Sequence, residues 1–144
     1  MKNKLSVIDL FSGCGGSALG FRNAGFNIKA AVEIDLSAAE SFRKNFPEAL
    51  VINKDISGIK GKDILNDSGI ESGNEVILLA CPPCQGFSNA RRVSERLQDP
   101  RNKLIWEFIR LVREIKPLFF IMENVPGLAT GIGKTICDET LNEL

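Results

Sequence analysis

Apolar and polar positions fall in blocks along the chain, and the blocks change period. Residues 5–11 (LSVIDLF) form a short apolar run that ends in a glycine-rich turn, the pattern of a buried strand. Residues 16–24 have helical spacing and are closed by Gly25. Residues 27–34 are strand-like, and 36–45 predict a helix stopped by Pro47. A third strand spans 49–52, with Asp55 close behind it. Residues 57–74 are rich in Gly, Asn, Asp and Ser and read as loop with one short helix around Asp63. EVILLA (75–80) is a strong fourth strand, followed by a long polar connection over 81–102. Residues 104–115 are amphipathic, with Leu104, Ile105, Phe108, Leu111, Val112 and Ile115 on one face. Pro117 ends that helix, 118–122 is a fifth strand, and 131–144 read as the start of a further helix.

Repeated strand–helix units predict an α/β fold with a mostly parallel sheet of about five strands and flanking helices. Ligands in such sheets bind at the carboxyl ends of the strands. Five clusters of special residues fall on that edge: 11–16, Glu33, Asp55, 81–88 and 123–124.

The chain has 144 residues, 44% hydrophobic and 25% charged, which suits one domain with a sizeable core. No apolar run approaches the roughly 18 residues of a membrane span. Asp9 interrupts the apolar run near the N-terminus, which argues against a signal peptide. The expectation is a cytoplasmic protein whose Cys14, Cys81, Cys84 and Cys137 are reduced thiols. Histidine and tyrosine are absent, so within this chain chemistry rests on Cys, Asp, Glu, Lys, Arg, Ser or Thr. The 18 basic and 18 acidic side chains cancel, but unevenly. Residues 86–116 carry eight basic groups against four acidic ones, either a solvated face or a surface for a polyanion.

Asp9-Leu-Phe-Ser-Gly13-Cys-Gly15-Gly16-Ser-Ala18 lies between the first strand and its helix. Glycines there permit positive φ and close approach of backbone to a ligand. Glu33, twenty residues after Gly13, can accept hydrogen bonds from ribose hydroxyls at the end of the second strand. The spacing satisfies G-x-G-x-x-A, so NAD and S-adenosylmethionine both remain open on this feature. Cys81-Pro-Pro-Cys84-Gln-Gly-Phe-Ser88 is more specific. Zinc would need Cys14 and Cys137, which lack ligand-pair spacing. A redox pair should open a helix, whereas Gln-Gly-Phe-Ser opens a loop. A single activated cysteine aimed by the rigid Pro82-Pro83 fits better.

Pro83-Cys84-Gln-Gly-Phe-Ser88 after a fourth strand resembles the nucleophile motif of DNA (cytosine-5) methyltransferases. In the same order, Asp9 to Gly16 resembles the family's S-adenosylmethionine loop, and Glu33-Ile34-Asp35 its ribose-binding acid and neighbour. Asp55-Ile56 resembles its adenine contact, Asn102-Lys103-Leu104 the segment whose leucine lines the cofactor pocket, and Glu123-Asn124-Val125 its Glu-Asn-Val. Cys81 departs from the usual glycine, and Cys14 from a tolerant loop position. The resemblance covers roughly residues 5 to 130 and implies a Rossmann-like S-adenosylmethionine-dependent fold.

It implies S-adenosyl-L-methionine held by Phe11, Gly13, Gly15, Gly16, Glu33, Ile34, Asp55, Ile56, Pro83 and Leu104. It implies no metal, Cys84 as nucleophile, and Glu123 as the acid at N3 of the cytosine. Gln85, Ser88, Arg91, Arg92, Arg96 and Asn124 would meet double-stranded DNA with a flipped cytosine. Later strands, an arginine-rich motif and a target-recognition domain of the family have no counterpart here. The expectation is thus the N-terminal part, 1–144, of a catalytic domain in a restriction-modification setting. It would bind the cofactor weakly alone, and a second chain could carry the missing motifs. A tRNA cytosine-5 methyltransferase, an inactive remnant and an NAD-dependent oxidoreductase are the rivals. The last leaves Pro-Cys-Gln and Glu-Asn-Val unexplained.

Overall fold

A computed structural model describes residues 5–71, 75–83 and 103–123, and Asp138. Strands β1 (Ser6–Leu10), β2 (Asn27–Val32), β3 (Leu50–Ile52), β4 (Val76–Ala80) and β5 (Phe119–Met122) form one sheet in the order β3-β2-β1-β4-β5. Every pairing is parallel. Helices α1 (Gly16–Asn23), α2 (Leu36–Asn45), α3 (Gly61–Asp67) and α4 (Lys103–Ile115) connect them, with a 3-10 turn at Ile56–Gly58. The expected α/β order is present. The stretch read as loop with one short helix resolves into the 3-10 turn, begun by the Asp55 side chain, and α3, whose first N–H is met by the distant Glu114.

Strand side chains alternate between two apolar layers. Ile8 and Leu10 of β1 join Val32, Leu78, Ile105, Phe108 and Leu111 on the face covered by α3 and α4. Val7, Ala31, Ile77 and Leu79 face the opposite layer with Ala18, Phe42 and Phe46 of the α1–α2 side. Burying each large side chain contributes about 1.5–3 kcal/mol. The predicted stripe of α4 is buried except for Leu104, which is half-buried, and Ile109 is buried with it.

The starts of α2 and α1 are fixed in different ways. The Asp35 carboxylate accepts from the Ala38 N–H at 2.8 Å and caps α2. Helix α1 begins after Gly15, whose φ of 94° lets the chain turn sharply out of β1. The Asn45 amide donates to the Cys14 carbonyl at 2.9 Å, tying that turn to α2.

Candidate active site

Parallel pairing puts every strand's carboxyl end on one edge. Phe11, Glu33, Asp55, Cys81 and Glu123 each follow a different strand there. A cleft of about 280 Å³ on this edge is lined by Phe11, Val32, Glu33, Ile34, Lys54, Asp55, Ile56, Cys81, Pro83 and Leu104. Seven of these are the side chains expected to hold a cofactor. Gly13, Gly15 and Gly16 do not line it, and shape the loop instead.

Glu33 organises the cleft. One carboxylate oxygen accepts from the Gly13 N–H at 2.8 Å and the other from the Asp35 N–H at 2.9 Å. The same acid thus joins the glycine loop, the end of β2 and the start of α2. Its remaining lone pairs suit the two hydroxyls of a ribose. Asn53, which the sequence did not single out, donates to the Glu33 carbonyl at 2.8 Å and the Ile34 carbonyl at 3.0 Å. Phe11 adopts a left-handed backbone, φ 56°, rare for an aromatic residue, and puts its ring on the cleft wall.

One oxygen of Asp55 accepts from both the Ser57 N–H at 2.9 Å and the Ser57 hydroxyl at 2.8 Å. These bonds hold its carboxyl below the usual carboxylate range. Ile56, next in sequence, is buried, and Leu104 of α4 stands on the same cleft.

Asp9 is a surprise within the loop. It is 1% exposed on β1, and neither carboxylate oxygen meets a hydrogen-bond partner. Burial, then the Glu33 charge, push its pKa up to about 7. The nearby Ala18 N–H pulls it down slightly, without reaching hydrogen-bond geometry. The Cys81 thiol lies 3.4 Å from the Ser17 hydroxyl, and burial, opposed by that contact, raises its pKa. The charges of Asp9 and Glu123 raise it further. The Glu123 N–H donates to the Ala80 carbonyl at 2.9 Å, so the acid sits beside the end of β4. Cys84, Gln85, Ser88, Arg91, Arg92, Arg96 and Asn124 lie outside the described residues. Of the basic stretch, Arg110 turns inward to its own helix, pairing with Glu107 and Glu114 at 2.7 Å each.

The family model described as C-5 cytosine-specific DNA methylase matches residues 5–144. The chain belongs to this family. This methylase chain is 41% identical over 138 residues to the type II methyltransferase M1.HphI of Haemophilus parahaemolyticus, covering 94% of itself and 37% of that protein. It is 43% identical over 129 residues to M.AquIA of a Picosynechococcus strain, covering 89% of itself and 50% of that relative. A crystal structure described as a DNA modification methyltransferase encoded within an E. coli prophage superposes with a TM-score of 0.82 at 39% identity. That match covers 98% of this chain and 38% of the other. The chain therefore spans between about a third and a half of the length of these relatives.

Proposed function

We propose that this chain forms the cofactor-binding and nucleophilic part of an enzyme that methylates C5 of cytosine in DNA. The observation that carries the reading is the cleft itself. Glu33, Asp55 and the Phe11 ring converge there, on the strand edge from which the chain runs to Cys84. These residues fit S-adenosyl-L-methionine: a carboxylate for the ribose, an aromatic wall, and a carboxylate beside a backbone N–H for the adenine edge. Bound there, the cofactor supplies an electrophilic methyl group.

Cytosine C5 is a poor nucleophile until electron density is added. The Cys84 thiolate forms a bond to C6, and the displaced π electrons pass to C5. Glu123, as an acid, donates a hydrogen bond or proton at N3 and makes C6 more electrophilic. C5 then takes the methyl group. Loss of the C5 proton to a base returns the electrons, breaks the sulfur–C6 bond and frees Cys84. The base must leave the duplex to reach the thiolate, at about a few kcal/mol of unstacking. Gln85, Ser88, Arg91, Arg92, Arg96 and Asn124 serve that exposed base and its phosphates.

Target recognition falls to protein beyond these residues, on the same polypeptide or a second chain. Strand β5, at the sheet edge with Phe119 59% exposed and Ile121 45% exposed, offers it an apolar seat. The test is radiolabelled methyl transfer to DNA and to tRNA by the enzyme completed with the region its relatives carry. Label should enter DNA. Cys84→Ala should abolish transfer and leave cofactor affinity unchanged. Normal methylation by that variant, or label in tRNA alone, would overturn the reading.

A further inference from the structure

The Arg110 guanidinium reaches the Ile56 side of the cleft through the backbone. Its Nη2 donates to the Ile56 carbonyl at 3.0 Å. Its Nε donates to Glu107 at 2.8 Å and its Nη1 to Glu114 at 2.7 Å. The other oxygen of Glu114 accepts from the Gly61 N–H at 2.6 Å. Helix α4 thus grips both ends of the segment 56–61, one by a carbonyl and one by an amide. Gly61 permits this approach, since a Cβ there would lie 2.8 Å from Ile115 Cγ1 and 2.9 Å from Glu114 Cβ.

Two walls of the cleft are tied together in this way. Ile56 stands on the 3-10 turn and Leu104 on α4 itself, less than two turns before Arg110. Intrahelical ion pairs alone contribute little to stability. The bond that leaves the helix is the informative one, because it fixes the peptide plane after Ile56 and with it the turn that presents Asp55 and the Ile56 N–H. We propose that Arg110 is a positioning residue for nucleobase recognition, holding Asp55 and Ile56 in register with the 6-amino group and N1 of adenine. The inference rests on the cofactor reading above. Three acceptors around one planar fork suit arginine and not lysine.

The probes are S-adenosylhomocysteine and S-inosylhomocysteine, in which a 6-oxo group and an N1–H reverse the pattern at the base edge. Equilibrium binding is measured on the full 144-residue chain, wild type, Arg110→Met and Arg110→Lys, with thermal melts alongside. Wild type should prefer the adenosyl ligand. Both variants should lose about tenfold for it, the scale of one charge-assisted hydrogen bond, and less than about twofold for the inosyl ligand. The preference should therefore shrink, an effect that general loosening of the fold would not produce. Equal loss for both ligands, or an unchanged preference in variants that melt like wild type, overturns the role of Arg110 alone. Failure of wild type to bind either ligand, both alone and completed with the region its relatives carry, overturns the cofactor reading and this inference with it.

Discussion

Adjacent glycines in the loop after β1 have opposite demands. A Cβ on Gly15 would fall 2.4 Å from a ring carbon of Phe46 and 3.0 Å from Phe42, and its φ of 94° disfavours any L side chain. Gly16 has open space around its Cβ direction and opens α1. Gly15→Ala should cost about 2–3 kcal/mol through strain and overpacking. Gly16→Ala should be neutral or stabilise by up to about 1 kcal/mol through helix propensity. Urea denaturation of the two variants checks the contrast. The sequence displayed both glycines equally, because the clash involves two phenylalanines thirty residues away. Asp9 shows the same limit: its place in the motif was legible, but its burial without a hydrogen-bond partner was not. With the folded pKa raised from 3.8 to about 7, the native state holds a proton that the unfolded chain has released. Stability from this group is therefore full below about pH 4 and lost as pH rises through 7, by on the order of 4 kcal/mol. Asp9→Asn should be more stable than wild type at pH 8, with the gap closing toward pH 4. Denaturation at the two pH values reads it, and an equal gap at both would contradict the assignment.

Among the elements, α4 was the easiest to foresee and carries the most core. Its stripe of apolar residues repeats at helical spacing, and Phe108 is 1% exposed where it meets the Phe120 ring at 6.0 Å. Phe108→Ala should cost about 3–5 kcal/mol, measured by thermal or chemical unfolding. The short helix expected around Asp63 is α3, whereas the 3-10 turn was not legible because it contains few apolar positions. They exist through Asp55 bonding Ser57 and through the grip of Glu114 on Gly61. Such contacts span up to 53 residues and leave no period in the sequence. Cys81 departs from the family's glycine, and it lines the cleft with its thiol beside Ser17.

At the scale of the whole molecule, the strand order leaves β5 at an edge. Phe120 turns toward α4, so Phe119 and Ile121 point to the other face, beside Ile77 and Leu79. Exposed apolar edge strands invite pairing with other chains. The 144-residue chain alone should self-associate as its concentration rises, and a Phe119→Lys, Ile121→Lys double variant should remain monomeric in sedimentation velocity. Glu33, at the opposite half of the sheet, carries a different kind of consequence. Its two oxygens clasp the loop after β1 and the start of α2, and in the function proposed above the same acid meets the ribose. A lineage drifting toward another nucleotide cannot exchange this acid on its own, because the loop would come undone in the same step. On the proposed reading, a change of cofactor is thereby coupled to a change in the loop that carries it.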